Sequence, residues 1–510
     1  MEKTRMQNSI KNSIFALLLR LLNISFPFIT RTIIIHSLGL SYVGISGLFT
    51  SLFGVLSLAE LGVGNALLQA LYFPIKNNDK NKINAIICFY KKTYFIIGLA
   101  ITSIGIIVMP FLKNIIKDGT YPKDLNIYYI YFINLICSVL GYMVYSYKSL
   151  LLEAFQKGRE SNKVRIVVSL FQYGIQIPIL LFTKNYYFFI SVLPVFSILT
   201  LILIAKVCDR ELPGYRAEGK LPKSDIELLG NNISSLFLYK IGSVVNNYVD
   251  GIIISIYMGA TVLGAYNNYY LIVSSISALV TVVYTAILPS VGHEVLLKSK
   301  EENYNKIMES ATLDGWFNGW CSICLTCLLS PFIKLWVGEE GFLGDFFALL
   351  FGIYFFFWRI LDPISMYKDA LGLWRKDKWR PLLTACVNLI SNIVLVQLIG
   401  IYGILLSTIL AVLFISFPFS AKVLMNYFEK DVKTYIFVTL KMMTFVFVAG
   451  IITWFVCGKI VLRNEYINFF LSGAVCLVLP NILFFVVYGK TPAVRKLLEY
   501  IERKVGYGSK

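Results

Sequence analysis

The chain has 510 residues, of which 57% are hydrophobic and 15% charged, and its mean hydropathy is +0.70. This composition is too apolar for a soluble enzyme or a soluble binding module, and it indicates a polytopic helical membrane protein. The formal net charge of +18 would suggest a nucleic-acid partner for a soluble protein. Here the Lys and Arg residues lie between apolar runs rather than in one patch, so no nucleic-acid partner is expected.

Fourteen apolar segments are long enough to cross a membrane as helices. The first lies in the N-terminal segment that ends near Ile35. The others run at about 42–71, 93–112, 127–152, 164–183, 186–205, 233–256, 262–288, 316–337, 346–366, 382–400, 401–423, 435–457 and 466–488. The predicted fold class is therefore an all-α polytopic membrane protein with about 14 transmembrane helices.

Two stretches of the chain repeat each other. Residues 31–44 read RTIIIHSLGLSYVG, and residues 250–264 read DGIIISIYMGATVLG. Each has three consecutive isoleucines followed by two glycines five positions apart, which are Gly39 and Gly44 in the first copy and Gly259 and Gly264 in the second. Such self-similarity in an apolar chain is typical of transporters built from two related lobes. Its offset divides the first twelve spans into six and six.

The repeat predicts two six-helix lobes around a central cavity, followed by two extra C-terminal helices. The longest polar connector, 206–223, carries Pro and Gly residues that break helices, so it is the predicted link between the lobes. The predicted domains are 1–207, the N-terminal six-helix lobe; 208–228, a cytoplasmic linker; 229–424, the C-terminal six-helix lobe; 425–490, the two additional helices; and 491–510, a cytoplasmic interfacial helix and tail.

The distribution of basic residues orients the chain in the membrane. With the N-terminus in the cytoplasm, few of the 47 Lys and Arg residues fall in outer loops, namely Lys113, Lys117, Lys123, Lys184, Lys459 and Arg463. Most of the others fall in cytoplasmic segments. The positive-inside rule therefore predicts that both termini are cytoplasmic.

Some basic residues fall inside predicted spans, where a Lys or Arg at the bilayer centre costs roughly 2.5 to 3.5 kcal/mol. They are Arg20, Arg31, Lys148, Lys240, Lys334, Arg359 and Lys441. Helical spacing places Arg20 and Arg31 on one stripe of the first span, as expected for residues that line a polar cavity. Alternatives exist: Arg20 and Lys240 could be cytoplasmic anchors, and Arg359 could be neutralised by Asp362 one turn away.

Glu60 is the most deeply placed acid of the first lobe. It could carry a proton or pair with a cavity cation, and both interpretations are open. No metal or catalytic site is predicted, because the two His residues are far apart and Cys321, Cys324 and Cys327 point around a helix at about 100° per residue. These cysteines are assigned to packing.

The opening of the chain contains an arginine before RTIIIHSLG, then YVGISGLFTSL and LAELGVGNALLQALYFPI. This pattern resembles the oligosaccharide flippases of the multidrug/oligosaccharidyl-lipid/polysaccharide exporter superfamily. The resemblance implies a cavity that opens alternately to either side and passes a polyprenyl-diphosphate-linked oligosaccharide to the outer leaflet of a bacterial plasma (inner) membrane. It implies no enzyme activity and no cofactor beyond a coupling sodium ion or proton. The implied partners are the lipid-linked oligosaccharide, membrane lipids and other membrane proteins of glycan assembly.

The resemblance also implies roles for particular residues. Basic side chains would bind the diphosphate, with Arg giving bidentate hydrogen bonds, and the polar face of span eight would contact the sugars. The implied substrate-binding residues are Arg20, Arg31, Lys148, Lys240, Arg359, Asn267 and Tyr270.

A narrower resemblance concerns a cation site of the related lipid II flippases, formed by residues of spans seven, eleven and twelve. The corresponding residues here are Asp250, Asn388, Asn392, Thr408 and the backbone oxygen of Ile404. Asn392 stands where that family has an acid, so the implied sodium site has one negative charge fewer. Asn246 or Asn247 could replace Asp250, and simple pairing of amides between helices is the alternative.

Two other functions are considered. A cation-coupled multidrug antiporter of the same superfamily would need an acidic or neutral cavity for cationic drugs, whereas the basic residues in the spans outnumber the acidic ones. A polysaccharide polymerase or lipid-linked glycosyltransferase would need long outer loops with carboxylates or His. The outer loops predicted here are short.

Overall fold

The computed structural model describes residues 2–60, 62–117, 121–373, 376–460 and 462–507. This part of the chain is almost entirely helical and contains no β-strand. Eleven of its helices are long and apolar enough to cross a membrane, and a bent pair makes a twelfth. The other two predicted spans fall on the apolar helix Leu40–Leu56 and on the helix Lys223–Met258. The prediction of an all-α polytopic membrane protein is confirmed.

The chain forms two compact units, Met1–Gly264 and Ala265–Lys510. The first unit contains α1 (Glu2–Leu38), α2 (Leu40–Leu56), α3 (Val63–Lys76), α4 (Lys80–Val108), α5 (Leu112–Ile115), α6 (Ile127–Met143), α7 (Ser146–Ala154), α8 (Gly158–Thr183), α9 (Tyr186–Glu211) and α10 (Lys223–Met258). By packing, α10 therefore belongs to the first unit. The predicted domain limits are drawn from the sequence repeat, whereas these two units are defined by packing. The predicted limits therefore stay a prediction.

The second unit begins within α11 (Ala260–Leu297). It continues with α12 (Lys300–Val337), α13 (Asp345–Arg359), α14 (Asp362–Ala370), α15 (Arg380–Ile399), α16 (Ile401–Ala411), α17 (Phe417–Phe428), α18 (Val432–Gly458), α19 (Glu465–Tyr488) and α20 (Pro492–Tyr507). Helix α12 packs against α13, α18 and α19. The two helices beyond the repeat, α18 and α19, are thus part of this unit.

The first turn of α12 shows how its sequence starts the helix. The Ser299 hydroxyl accepts a hydrogen bond from the backbone N–H of Glu302 at 3.2 Å, and the Glu302 carboxylate accepts one from the backbone N–H of Ser299 at 2.9 Å. This capping box satisfies N–H groups that have no partner within the helix. Lys300 also pairs with Glu429, which holds the pKa of that carboxyl below its ordinary value through a hydrogen bond and charge attraction.

The two turns of the repeat have the same backbone conformation. Gly39, between α1 and α2, has φ 106° and ψ 166°. Gly259, between α10 and α11, has φ 89° and ψ 176°. Positive φ combined with ψ near 180° is essentially restricted to glycine. The sequence repeat is therefore also a repeat of backbone structure, and it explains the first glycine of each copy.

The second glycine of each copy lies against the turn of the other copy. A Cβ atom on Gly44 would lie 1.8 Å from the carbonyl oxygen of Ala260, and one on Gly264 would lie 2.3 Å from that of Leu40. Leu40 and Ala260 are equivalent, since each directly follows the first glycine of its copy. The contact is therefore reciprocal, as in an interface with two-fold symmetry, and only glycine allows so close an approach.

Small residues continue this contact between α2 and α10. A Cβ atom on Gly54 would lie 2.3 Å from the ring of Tyr248, and one on Gly251 would lie 2.3 Å from the hydroxyl of Ser51. In lipid, helices gain little hydrophobic free energy by associating, so close van der Waals packing of small residues takes over. This packing explains why α10 belongs to the first unit.

Several predicted spans are interrupted. The fourth consists of α6 and α7, which meet at 49°, with Tyr145 in the left-handed region at φ 51°. The tenth breaks between α13 and α14. The twelfth contains a π-helical segment, Val412–Ser416, and such segments frequently occur at functional sites.

The predicted lobe linker is held against the first unit. The side-chain oxygen of Asn84 on α4 accepts a hydrogen bond from the backbone N–H of Arg216 at 3.1 Å, and its Nδ2 donates to Glu218 at 3.5 Å. The Nζ of Lys80 lies 5.8 Å from the ring centre of Tyr215. The connector is therefore anchored at the start of α4.

We expect Gly44→Val to lower the stability of the purified protein by about 1–3 kcal/mol, because the added side chain overlaps the Ala260 backbone. Thermal unfolding in detergent would show this as a lower midpoint. Gly174→Ala is the matched control, since nothing lies within 4 Å of a Cβ atom at that helical position. An unchanged midpoint for Gly44→Val would contradict the close contact.

Candidate functional site

The predicted phosphate-binding arginines lie on α1 in the first unit. Arg20 is exposed and Arg31 is half-buried. Their eleven-residue separation places them about 16 Å apart along nearly the same side of the helix. The backbone of Lys240 lies in α10, but its side chain is outside the described part of the structure. The diphosphate-binding role of all three residues stays a prediction.

Lys148 is buried, and its charge has a partner. Its Nζ forms an ion pair with Asp209 on α9 and lies 5.5 Å from the ring centre of Tyr147. Lys148 belongs to α7, after the bend in the fourth span, so it does not share a straight helix with the polar residues of α6. To bind a phosphate, Lys148 would have to exchange the Asp209 carboxylate for it.

Glu60 lies in a short 3₁₀ turn, Ser57–Glu60, between α2 and α3. The hydroxyl of Tyr94 donates to Glu60 Oε1 at 2.5 Å. The Tyr94 ring stacks on that of Tyr90, with ring centres 3.9 Å apart. Within the described residues no Lys or Arg forms an ion pair with Glu60 at ≤ 4.0 Å, and both interpretations of Glu60 stay predictions.

The structure brings together the predicted sodium ligands of spans eleven and twelve. Asn388 Nδ2 donates to the Thr408 hydroxyl at 2.9 Å, and Asn392 Nδ2 donates to Asn388 Oδ1 at 3.3 Å. The sequence analysis missed Ser407, whose hydroxyl lies within hydrogen-bond distance of two acceptors, Asn392 Oδ1 and, at 2.8 Å, the carbonyl oxygen of Ile404. Its one proton can be donated to either acceptor. Ser407 directly precedes Thr408 in the sequence, and this position could have identified it as a further oxygen donor of the site.

This oxygen cluster is buried and neutral. Asn388, Asn392 and Ser407 have no exposed surface, and their polar groups already bond to one another. A sodium ion would have to replace these hydrogen bonds without the help of a carboxylate in the cluster. The remaining predicted ligand, Asp250, is buried on α10 in the first unit. Sodium binding stays a prediction.

The predicted sugar-binding face of span eight lies on α11. Asn267 and Tyr270 are half-buried, and the Tyr270 ring stacks on that of Tyr266 with centres 6.0 Å apart. Further along the helix, Ser277 and Thr281 bond to Arg359 instead. Part of the expected polar face is therefore used inside the second unit.

Arg359 is buried at the break between α13 and α14. Its Nη2 lies 2.5 Å from Asp362 Oδ2, and its Nη1 donates to the hydroxyls of Ser277 and Thr281, both at 3.2 Å. The guanidinium lies 5.5 Å from the ring centre of Tyr284. Of the two sequence interpretations, neutralisation by Asp362 is the one seen in this structure.

A second acid, Asp314 on α12, lies beside this pair, and the sequence analysis missed it. The Tyr284 hydroxyl and Asn318 Nδ2 both donate to Asp314 Oδ1, the latter at 2.6 Å. The Tyr284 ring also lies 5.5 Å from the Arg359 guanidinium, so Tyr284 connects Asp314 with the Arg359–Asp362 pair. We name Arg359, Asp362, Asp314, Tyr284 and Asn318 the buried charge cluster.

The second unit also contains a large apolar cavity that the sequence analysis did not predict. It measures about 1360 Å³ and lies among α12, α13, α18 and α19. Its walls include Ile353, Phe357, Phe447, Trp454 and Phe469. No sequence pattern signals this cavity, because each wall residue looks like any other apolar residue of a membrane helix.

Charged residues surround one end of the cavity, at the ends of α12, α13 and α19. They are Lys334, Glu339, Asp345 and Glu465. Lys334 Nζ lies 3.2 Å from Glu339 Oε1 and 4.0 Å from the ring centre of Phe342. The cavity therefore combines apolar walls with a charged rim.

The cysteines that lie together in the structure are not the three that lie close together in the sequence. Cys327 meets Cys457 and Cys476, and all three sulfur atoms lie within 4.8 Å of one another. Cys457 and Cys476 are 3.8 Å apart. Cys321 is not in this group. The prediction that the cysteines serve packing rather than metal binding stays a prediction.

A sequence model of the family described as "Polysaccharide biosynthesis protein" matches residues 9–293. Comparison with curated proteins gave no match. Among solved structures, the lipid II flippase MurJ in an inward closed conformation gives a TM-score of 0.62 at 16% identity, covering 96% of this chain and 100% of that chain.

Two MATE transporters show the same fold. An inward-facing multidrug resistance MATE family transporter of the MOP superfamily gives a TM-score of 0.57 at 12% identity, covering 85% of this chain and 98% of that one. A mutant of the MATE transporter VcmN from Vibrio cholerae gives 0.52 at 13% identity, covering 84% and 98%. At these identities the likeness establishes the fold alone, whereas the family match rests on sequence over more than half of the chain. The chain is a multi-pass membrane protein that belongs to the polysaccharide biosynthesis protein family.

Proposed function

We propose that this protein is a flippase that moves a polyprenyl-diphosphate-linked oligosaccharide from the cytoplasmic to the outer leaflet of a bacterial plasma membrane, for assembly of a cell-surface polysaccharide. The family match and the fold shared with a lipid II flippase support a lipid-linked saccharide as the substrate class. The single observation that carries the proposal is the apolar cavity of the second unit.

The size of the cavity suits a long hydrocarbon chain. At about 1360 Å³ it exceeds the roughly 300–1,000 Å³ of pockets that hold drug-sized ligands. A polyprenyl tail already lies in lipid, so entering the cavity changes its hydrophobic free energy little. The cavity instead keeps the tail in apolar surroundings beside the protein while the polar head crosses.

The diphosphate needs cationic ligands. Lys148 and Arg359 each have a carboxylate partner, so phosphate binding there would first break an ion pair. The Arg359–Asp362 pair is largely buried, and breaking a buried pair costs about 3–5 kcal/mol. We assign the first contact with the diphosphate to Arg20 and Arg31 on α1, because a guanidinium can bind phosphate oxygens in bidentate fashion.

A multidrug antiporter is the second candidate function. The cavity rim carries three carboxylates, Glu339, Asp345 and Glu465, and one lysine, Lys334. An acidic rim is suited to a cationic drug, and the MATE transporters share this fold. The two functions differ in what occupies the cavity, a long neutral hydrocarbon or a compact cation.

We expect Thr444→Trp, which places an indole in the cavity from α18, to slow flipping of a polyprenyl-diphosphate glycan by about tenfold, equivalent to ~1.4 kcal/mol. The measurement is loss of a labelled lipid-linked glycan from one leaflet of proteoliposomes. Ile452→Trp is the matched control, because Ile452 is exposed on the same helix but does not line the cavity. Uptake of a cationic dye without any flipping would instead establish the antiporter.

We expect Arg31→Ala and Arg20→Ala to abolish flipping in the same assay while leaving expression and membrane insertion intact. Lysine at either position should rescue only partly, because the bidentate geometry is lost. Arg210→Ala serves as the control, since its side chain is 71% exposed at the end of α9. Full activity of both alanine variants would show that these arginines are membrane anchors.

We expect Asp250→Asn and Thr408→Ala to lower flipping and to remove its dependence on sodium, because oxygen ligands of the predicted site are lost or weakened. Thr439→Ala is the matched control: Thr439 and Thr408 are both 8% exposed, and the Thr439 hydroxyl bonds within its own helix. Flipping by the wild-type protein that does not respond to sodium would eliminate this site.

A further inference from the structure

The buried charge cluster contains more acid than base. Arg359 forms its ion pair with Asp362, and among the described residues Asp314 has no ion-pair partner. Its hydrogen bonds come from two neutral groups, the hydroxyl of Tyr284 and the amide of Asn318. The cluster joined through Tyr284 therefore contains two carboxylates and a single guanidinium.

A negative charge in this position is costly. Taking an ion out of water costs several kcal/mol unless an opposite charge compensates it, and two nearby carboxylates disfavour each other's ionisation. Binding of one proton removes the excess charge and leaves Arg359 and Asp362 balanced. We propose that Asp314 and Asp362 form a proton-binding site that holds one proton in this state of the protein.

The amide of Asn318 is a neutral partner of Asp314. Asn318 is 1% exposed, and its Nδ2 lies 2.6 Å from Asp314 Oδ1. An amide N–H can donate to a carboxyl oxygen whether that carboxyl group is ionised or protonated. Asn318 therefore holds the Asp314 carboxyl group in place without supplying a positive charge that would balance it.

The chemistry at Asp314 is simple. Oδ1 accepts the hydrogen bonds from Tyr284 and Asn318, so the proton binds at Oδ2, which receives no hydrogen bond from any described residue. Asp314 is only partly buried, which allows its proton to exchange with water. The titratable and charged groups facing it are Tyr284 from α11, Arg359 and Asp362 from the α13–α14 break, and Tyr435 from α18.

This site is separate from the Asn388 cluster, which contains no carboxylate, and from Glu60 in the first unit. Its position at a helix break is suited to coupling, because protonation changes the charge balance where α13 and α14 meet. Release of the proton would leave two carboxylates competing for Arg359. Only this coupling role rests on the proposed flippase function, since proton binding itself requires no substrate.

The test is a pH titration of the full-length protein in lipid nanodiscs, followed by infrared absorption of the protonated carboxyl group. We expect the wild type to bind about one proton at this site, and we expect Asp314→Asn and Asp362→Asn each to lose that band, because one acid then balances one arginine. Glu301→Gln is the matched control, since Glu301 lies on the same helix and pairs with Lys430 at the surface. It should keep the band.

A band that persists in both Asp→Asn variants, or that is missing from the wild type, would overturn the proposal. Loss of the band on adding sodium at constant pH would overturn it as well, since the site would then bind a metal cation. If one variant does not fold, the other decides. In proteoliposomes the wild type should respond to a pH gradient and Asp314→Asn should not. Absence of any flipping with a normal titration would reject the proposed function and keep the proton site.

Discussion

The close backbone contact between the two repeat turns is the constraint on which the first unit depends. Gly44 lies against Ala260 and Gly264 lies against Leu40 at distances that leave no room for a Cβ atom. In lipid, where no hydrophobic gain drives helix association, this contact and the small residues below it bring α2 and α10 together. The reciprocal geometry follows from the repeat, because the same turn is used twice. Helix α10, which carries part of the second copy of the repeat, therefore packs in the unit that contains the first copy.

A second constraint is that a buried charged side chain needs an oppositely charged partner nearby. Lys148 pairs with Asp209, and Lys368 and Arg380 share Asp377, which has no exposed surface. Such pairs lower the cost of charge in a membrane without adding much stability. They also reduce the number of cations available to a phosphate. Asp314, which has no ion-pair partner among the described residues, therefore stands out from this pattern.

The two helices beyond the repeat, α18 and α19, form part of the wall of the apolar cavity. α18 and α19 pack on α12 and line, together with α12 and α13, the apolar cavity of the second unit. A substrate with a long tail and an anionic head needs two unlike environments. The second unit supplies an apolar wall with a charged rim, and the first carries arginines on α1.

The sequence by itself determined the class, the spans and the repeat, because hydropathy over twenty residues and glycine spacing are local properties of the chain. The resemblance to the lipid II flippases also grouped Asn388, Asn392 and Thr408 as one implied site, and the structure places these three residues in contact. Only the tertiary structure decided which partner each buried charge takes, that Asp314 joins Arg359 and Asp362, and that Cys327 meets Cys457 and Cys476 rather than Cys321. It alone decided that apolar residues of four helices line one cavity and that α10 packs with the first unit. These features depend on contacts between residues far apart in the chain, and periodicity within one helix carries no information about them.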